Sequence, residues 1–387
     1  MLNLNSLRFP RFEFPADLAP LRAEVREFLA QELEHYSPLV RSYSWDGIDP
    51  EFSRKLGARG WVGMTLPKEY GGHGRSALER YVVVEEVLAA GAPVGYHWVA
   101  DRQSGPMIAR LGTEAQKQTI LPAIARGEAC FAIGMSEPNS GSDLASVKTR
   151  AERVADGWLV NGTKIWTTLA HRANYMIALL RTDSSSDSKH RGLSQFLIDL
   201  RAVKGISPRP IRDLTGRGHF NEVSFVDALL PPDALLGNEG EGWKQVMAEL
   251  AFERSGPERY LSCFVLLTQL IDVLKGRASA TALAKIGAEV AWAASLRNMS
   301  LSVAGMLNAG LDPSLQASVV KDLGCHFEQR LPGLAQELVA LEPALAGSGV
   351  DYQQVLGNLI QLAPSFSLRG GTLEILRGII ARGLGVR

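Results

Sequence analysis

Apolar positions recur at helical spacing through the first third of the chain. Residues 16–34 place Leu18, Leu21, Val25, Phe28 and Leu29 on one stripe with charges between them, which predicts an amphipathic helix. The pattern returns at 76–90 and 97–111, and Thr113 reads as the N-cap of a further helix over 114–126. Pro67, Gly71 and Gly72 mark a loop among these helices. From about 127 to 237 the period shortens. Runs at 158–160, 164–168, 175–181, 195–200 and 222–226 read as strands, and Asp156-Gly157 and Asn161-Gly162 as tight turns. Helical spacing resumes after Gly242, at 243–252, 259–274, 280–307, 315–341 and 373–384. The expected fold is therefore α+β: an N-terminal α-helical domain (1–126), a central antiparallel β domain (127–237) and a C-terminal helical domain resembling a four-helix bundle (238–387).

Composition narrows the function classes. The 387 residues are 46% hydrophobic, more core than one simple domain needs. Lys+Arg and Asp+Glu balance at 41 each, and no basic tract is interleaved with aromatics, so no nucleic-acid partner is expected. Cys130, Cys263 and Cys325 are odd in number and widely spaced, which fits a reducing compartment and argues against a disulfide framework or a cysteine zinc site. The seven histidines form no His-x-His or His-x-x-x-His pair, so no metal site is expected. The N-terminus lacks the apolar core of a signal peptide, and Glu85 and Glu86 interrupt the apolar stretch 81–90. These features predict a cytoplasmic protein without membrane insertion.

Two segments could carry chemistry. The first, FAIGMSEPNSGSD over residues 131–143, begins like a strand that Pro138 ends. Asn139-Ser140-Gly141-Ser142 then reads in two ways: an ordinary hairpin loop, or a nest of converging N–H groups that, with the Ser142 hydroxyl, suits a pyrophosphate. The second, GTKIWTT over 162–168, puts Trp166 and Thr168 two residues apart on one strand face. A flat tricyclic cofactor could stack on the indole and accept a hydrogen bond from the hydroxyl. A tryptophan on a strand is also a common core residue.

Taken together, these segments resemble the acyl-CoA dehydrogenase superfamily, over nearly the whole chain. The resemblance starts at Gly60-Trp61-Val62-Gly63-Met64 with Pro67-Lys68-Glu69-Tyr70-Gly71-Gly72-His73-Gly74. It runs on through Gly112-Thr113-Glu114, Leu121-Pro122, Ser136-Glu137-Pro138, Gly141-Ser142-Asp143 and Asn161-Gly162-Thr163-Lys164-Ile165-Trp166. Phe220-Asn221-Glu222-Val223, Pro231-Pro232, Gly242-Trp243, Gly370-Gly371-Thr372-Leu373-Glu374-Ile375 and Arg377 complete it. The resemblance implies FAD as cofactor, an acyl-CoA substrate oxidised to a trans-2-enoyl-CoA, and reoxidation by an electron-transfer flavoprotein. It implies that Met135 and Ser136 contact the flavin ring by backbone and hydroxyl. Ser142 would reach the pyrophosphate or CoA, and Trp166 and Thr168 would lie against the isoalloxazine, Thr168 near N5. Thr372 would approach the flavin from the C-terminal domain, and Arg217 would lie near the substrate.

The chemistry needs a carboxylate in an apolar setting to take the α-proton. Members of the family carry it at one of two places. One falls here on Gly370, which has no side chain. The other falls in Ala251-Phe252-Glu253-Arg254, which makes Glu253 the expected base and Arg254 a substrate-positioning residue. On its own, a Glu-Arg pair on a helix is ordinarily solvated surface.

The chain also departs from the family. An Arg-x-x-Phe-Gly segment that grips FAD across subunits is missing; Leu274-Lys275-Gly276-Arg277-Ala278-Ser279 stands there. The Gln-x-x-Gly-Gly-x-Gly loop for the adenine end is reduced to Gln354-Val355-Leu356-Gly357-Asn358, and Trp166-Thr167-Thr168-Leu169-Ala170 replaces Trp-x-Thr-Asn-Gly. These losses resemble a branch with paired unequal subunits acting on bulky acyl groups such as sterol side chains, so a homo- or hetero-oligomer, dimer or tetramer, is expected. The competing expectations are a non-catalytic partner subunit and a flavin oxidase or monooxygenase.

Overall fold

The computed structural model describes residues 4–12, 14–185, 188–253 and 256–386, with side chains at all of these except 4, 5 and 249–253. Among the described residues the α-helices α1 (Ala19–Glu32), α2 (Pro38–Arg41), α3 (Pro50–Ala58), α4 (Ala77–Ala89), α5 (Gly95–Val99), α6 (Gly105–Leu111) and α7 (Glu114–Ala125) come first. The strands follow: β1 (Phe131–Gly134), β2 (Arg150–Val154), β3 (Gly157–Thr168), β4 (Tyr175–Arg181), β5 (Leu193–Asp199), β6 (Ile206–Ile211), β7 (Phe220–Leu230) and β8 (Leu235–Leu236). Then come α8 (Gly242–Glu253), α9 (Phe264–Leu274), α10 (Ala280–Asn308), α11 (Ser314–Leu338), α12 (Asp351–Leu362) and α13 (Leu373–Gly383). The helical, sheet, helical order is the expected α+β arrangement. None of the described helices is long and apolar enough to cross a membrane.

Local chemistry explains most of these boundaries. Thr113 caps α7 in a reciprocal box: its hydroxyl accepts from Gln116 N (3.2 Å), and Gln116 Oε1 accepts from Thr113 N (3.0 Å). Ser76 and Glu79 build the same device at α4. The helix expected over 97–111 is split, because a π-turn at Ala100–Ser104 separates α5 from α6. The helix expected from 259 begins only at Phe264, after a 3-10 turn at Pro257–Arg259. α3, α12, β2 and β6 were not among the expected elements, although α3 and α12 do carry apolar residues at helical spacing: Phe52 and Leu56 in one, and Tyr352, Val355, Leu356 and Leu359 in the other.

The chain divides into two compact units, Met1–Ile48 with Arg75–Gly95 and Ala251–Arg387, and Asp49–Gly74 with Tyr96–Leu250. The second unit holds the sheet, ordered β6-β7-β3-β2-β4-β5-β8, with β1 also pairing β4. Pairing is mostly antiparallel, but β1 runs parallel to β4, so the sheet is mixed. Both faces are covered. On one, Ile177 and Leu197 pack with Ile108, Ile120, Leu121 and Ile124 of α6 and α7. On the other, Met176, Ala178 and Phe196 join Trp158, Val223 and Phe225. Burial on both sides is why β4 is an uninterrupted apolar run rather than an alternating one.

Asp156-Gly157 turns β2 into β3 as expected. Asn161-Gly162 does not turn the chain; it lies inside β3 at a register shift against β7. Gly162 sits at φ +145°, and a Cβ there would come within 2.7 Å of Thr149 Cα, so the glycine serves a bulge pressed against β2's lead-in. Asn161 Nδ2 donates to Asp227 Oδ1 (3.0 Å) and its Oδ1 accepts from Asp227 N (2.9 Å), replacing ladder bonds the bulge removes.

In the first unit, Leu78 and Tyr81 of α4 pack with Leu301 and Ala304 of α10 and with Phe12, Phe14 and Leu18. Tyr81 and Tyr260 share a buried hydroxyl–hydroxyl hydrogen bond of 3.0 Å. Burial pushes both phenols well above their ordinary range.

Candidate active site

Five of the expected site residues gather on two neighbouring segments of the sheet unit. β1 stops at Gly134, and Met135 and Ser136 continue as a half-buried strand end. Ile165 N donates to Ser136 O (2.9 Å), and the Lys164 ammonium donates to Met135 O (3.1 Å), so this end is laid against β3 just before Trp166. Glu137 and Ser140 then exchange backbone hydrogen bonds of 2.9 and 3.0 Å, closing a tight turn through Pro138 and Asn139. Ser140's N–H is thus used within the turn, while Gly141 and Ser142 beyond it are exposed. An added Cβ on Gly141 would meet nothing within 4 Å, which leaves the backbone there open to close approach by a ligand.

Glu137 is a hub for this loop. Its carboxylate accepts from Lys148 N (2.7 Å), Thr149 N (2.8 Å) and Lys164 Nζ (2.9 Å). Burial by itself would raise its pKa, but Lys164 and these donors outweigh that and hold it below the usual carboxylate range. Lys164 is wholly buried, and loss of water pulls its ammonium down to about 8 against the attraction of Glu137. Lys164 had no expected role. A lysine midway along a strand carries no signal in one sequence that distinguishes it from a solvated one.

Trp166 stands out in β3. The register against β7 slips between Lys164 and Thr167, so Ile165 and Trp166 form a bulge. Trp166 takes φ +59°, a left-handed conformation rare for a bulky residue, and is 57% exposed. Its ring meets Phe220 edge-on at 6.2 Å, and Phe220 pairs with Thr168. Leu169, two residues after Thr167, is also left-handed at φ +54°, and the Thr167 hydroxyl is buried without a partner. Such strain costs of the order of 1–3 kcal/mol per residue and gathers where a surface must be presented to a ligand. The bulge breaks the simple alternation that would put Lys164, Trp166 and Thr168 on one face: Lys164 is buried and Trp166 exposed.

The remaining candidates lie elsewhere. Arg217 sits in a tight loop between β6 and β7, its N–H bonded to Asp213 Oδ1 (3.2 Å) and its Nε to Thr215 Oγ1 (3.0 Å). In the first unit, Gly370 and Gly371 take φ +67° and +88°, and Thr372 follows as the N-cap of α13, accepting from Ile375 N at 3.5 Å. The left-handed backbone at 370 favours glycine and disfavours a glutamate there. Lys321, fully buried on α11, donates to Gly371 O and ties the turn down. Glu253 is the last residue of α8, with its side chain outside the described residues, and Arg254 lies outside them altogether.

The sheet residues fit a flavin. An indole held exposed on a strained bulge, beside a half-buried strand end with a free-standing turn, offers a planar apolar contact flanked by backbone and hydroxyl groups.

Comparison with known proteins gives a consistent result. The acyl-CoA dehydrogenase N-terminal, middle and C-terminal domain models match residues 16–128, 132–228 and 240–385. Acyl-CoA dehydrogenase IpdE1 of Mycobacterium tuberculosis is 32% identical over 375 residues, spanning 94% of this chain and 96% of the relative. Among solved structures, the Tcur3481-Tcur3483 steroid ACAD aligns with a TM-score of 0.86 at 27% identity, covering 97% of this chain and 99% of the other. The ChsE4-ChsE5 complex from Mycobacterium tuberculosis aligns at 0.82 and 28%, covering 97% and 99%.

Proposed function

Because the chain belongs to the acyl-CoA dehydrogenase family, and so is an FAD-dependent oxidoreductase acting on acyl-CoA thioesters, we propose that it desaturates a bulky acyl-CoA between Cα and Cβ with Glu253 as base. The single observation that carries the site is Trp166, exposed and left-handed on its bulge beside Met135 and Ser136.

Bound FAD would supply the acceptor for the hydride that leaves Cβ. The chain's own residues do the rest. The Trp166 indole supplies a plane for the ring, and the Thr168 hydroxyl a donor near N5. Met135 offers its backbone and Ser136 its hydroxyl to the ring edge, Ser142 contacts the pyrophosphate or the CoA, and Thr372 adds a hydroxyl from the C-terminal turn. Glu253 takes the α-proton as a carboxylate. A pocket filled by an apolar acyl chain raises its proton affinity, which brings the base closer to the weakly acidic thioester. Arg254 and Arg217 position the CoA ester. An electron-transfer flavoprotein reoxidises the enzyme, and the solved relative termed a steroid ACAD favours a sterol-derived or similarly large acyl group.

Association into a homo- or hetero-oligomer belongs to the same proposal. Over residues 281–298 the exposed positions of α10 include Leu283, Ala284, Ala288, Val290, Ala291 and Ala294, and its partly exposed charges, Lys285 and Arg297, are paired with Glu337 and Glu85. A solvated helix ordinarily presents a polar face, so this one suits subunit packing. The ChsE4-ChsE5 relative is itself a two-protein complex. Val290→Glu should shift the protein to a smaller species in sedimentation velocity; an unchanged species would remove α10 from the interface.

The test of the reaction is anaerobic titration of the flavin-bearing protein with short, long, branched, aromatic and steroid CoA thioesters. One class should bleach the flavin, and Glu253→Gln should keep the flavin but slow bleaching by about 10²–10⁴-fold. Bleaching at the wild-type rate would place the base elsewhere. A second reading, a non-catalytic partner subunit, draws on Gly370 at the alternative base position. Purification without flavin, even with excess FAD supplied, would favour it.

A further inference from the structure

Residues 135, 136 and 137 form the short segment on which the flavin reading rests, and all three are held from behind. Lys164 Nζ bonds Met135 O (3.1 Å), Ile165 N bonds Ser136 O (2.9 Å), and Glu137 receives Lys164 Nζ together with the amides of Lys148 and Thr149. Lys164 is 0% exposed and Glu137 9%. Two residues after Lys164 comes Trp166, and one residue before Glu137 comes Ser136, so both ends of the ion pair adjoin proposed ring contacts along the chain.

We propose that Lys164 and Glu137 are positioning residues that fix the Met135–Ser136 strand end and together set the reduction potential of the flavin held against it. This rests on the reading that Met135, Ser136 and Trp166 hold the ring. The physical reason is the burial of the pair. A charge in a dry interior is felt over longer distances than one at the surface, and reduction adds negative charge to the flavin. With both partners present the two fields nearly cancel. Removing the ammonium alone leaves a carboxylate behind the ring and disfavours reduction; removing the carboxylate alone leaves an ammonium and favours it. Ile165 N still bonds Ser136 O in either case, but each substitution removes part of what holds the segment: the Lys164 bond to Met135 O in one, and the charge on Glu137 that gathers Lys164 and the amides of Lys148 and Thr149 in the other. Flavin binding therefore weakens whichever partner is removed, by roughly tenfold, the size of one lost charge-assisted hydrogen bond.

The experiment compares Lys164→Met, Glu137→Gln and the double variant with the wild-type protein reconstituted with FAD. It reads the flavin dissociation constant by fluorescence quenching and the reduction potential by equilibration with a reference dye. The expected result is a lower potential for Lys164→Met, a higher one for Glu137→Gln and a value near wild type for the double variant, with all three binding flavin more weakly. A merely structural pair would weaken binding in all three without opposite shifts, and that result overturns the proposal. Should Lys164→Met fail to fold, the rise in Glu137→Gln and its cancellation in the double variant still decide the matter. Trp166→Ala serves as the control on the underlying reading. If it leaves flavin binding unchanged, the site itself is misplaced; if it weakens binding while the pair variants leave the potential unmoved, only the role of the pair fails.

Discussion

Two buried ionic sites in this protein solve the same problem in opposite ways. In the helical unit, Glu85 and Glu86 lie 6% and 8% exposed on α4 and are met by several arginines. Arg297 binds Glu85 through two bonds of 2.6 and 3.0 Å, and Arg22 approaches it at 2.8 Å. Arg26 binds Glu86 through bonds of 2.7 and 3.1 Å, and Arg22 reaches Glu86 as well. The arginines keep part of their length in water; Arg26 is 64% exposed. In the sheet unit, one lysine and one glutamate face each other almost wholly shielded from solvent, and Glu137 is otherwise met by backbone amides. The first is a shared network whose members can partly cover for one another. The second is all or nothing, and it sits beside residues proposed to touch the cofactor. Buried charge does not by itself mark a functional site; what sets this pair apart is its place next to the proposed ring contacts.

Substitutions sharpen this contrast. Lys164→Met should have the largest effect, a loss of about 3–5 kcal/mol in urea unfolding, because it leaves Glu137 buried and uncompensated; a loss below 1 kcal/mol would make the pair equivalent to a surface bridge. Glu85→Gln should lose about 1–3 kcal/mol, since Arg22 retains Glu86 and only Arg297 is stranded. A loss equal to that of Lys164→Met would erase the distinction between network and pair. The pH response should differ too. Lys164 titrates near 8 when folded and at 10.5 when unfolded, so between these values the unfolded chain binds more protons and the group's contribution to stability rises with pH. The urea midpoint of wild type should gain on that of Lys164→Met/Glu137→Gln through this window, and parallel profiles would contradict it. Arg26→Ala should have the smallest effect, under about 1 kcal/mol, because its guanidinium is mostly solvated. Thermal unfolding in low and high salt checks that, as the small difference should shrink with screening.

How much of the molecule could be read in advance varies with how local its cause is. The long helices and β4 announced themselves because their periodicity or their unbroken apolar run is set within a dozen residues. Thr113 announced a helix start through capping chemistry three residues wide. Asn161-Gly162 misled for the opposite reason: the dipeptide permits a turn, but pairing with β7 and contact with Thr149 made it a bulge. Trp166 was legible as a ring on a strand, whereas its left-handed backbone and exposure come from a register slip against a strand more than fifty residues away. The Lys164–Glu137 pair joins positions 27 residues apart, and nothing in either neighbourhood announces the other.

The sequence alone therefore determined the order of helical and sheet elements, the family motifs and the candidate residues, since these depend on residue type and short spacing. Only the tertiary structure decided which charges are buried together, which glycine bends a strand and which tryptophan is held out under strain. Burial and register are set by residues distant in the chain meeting in space, and no local window contains both partners.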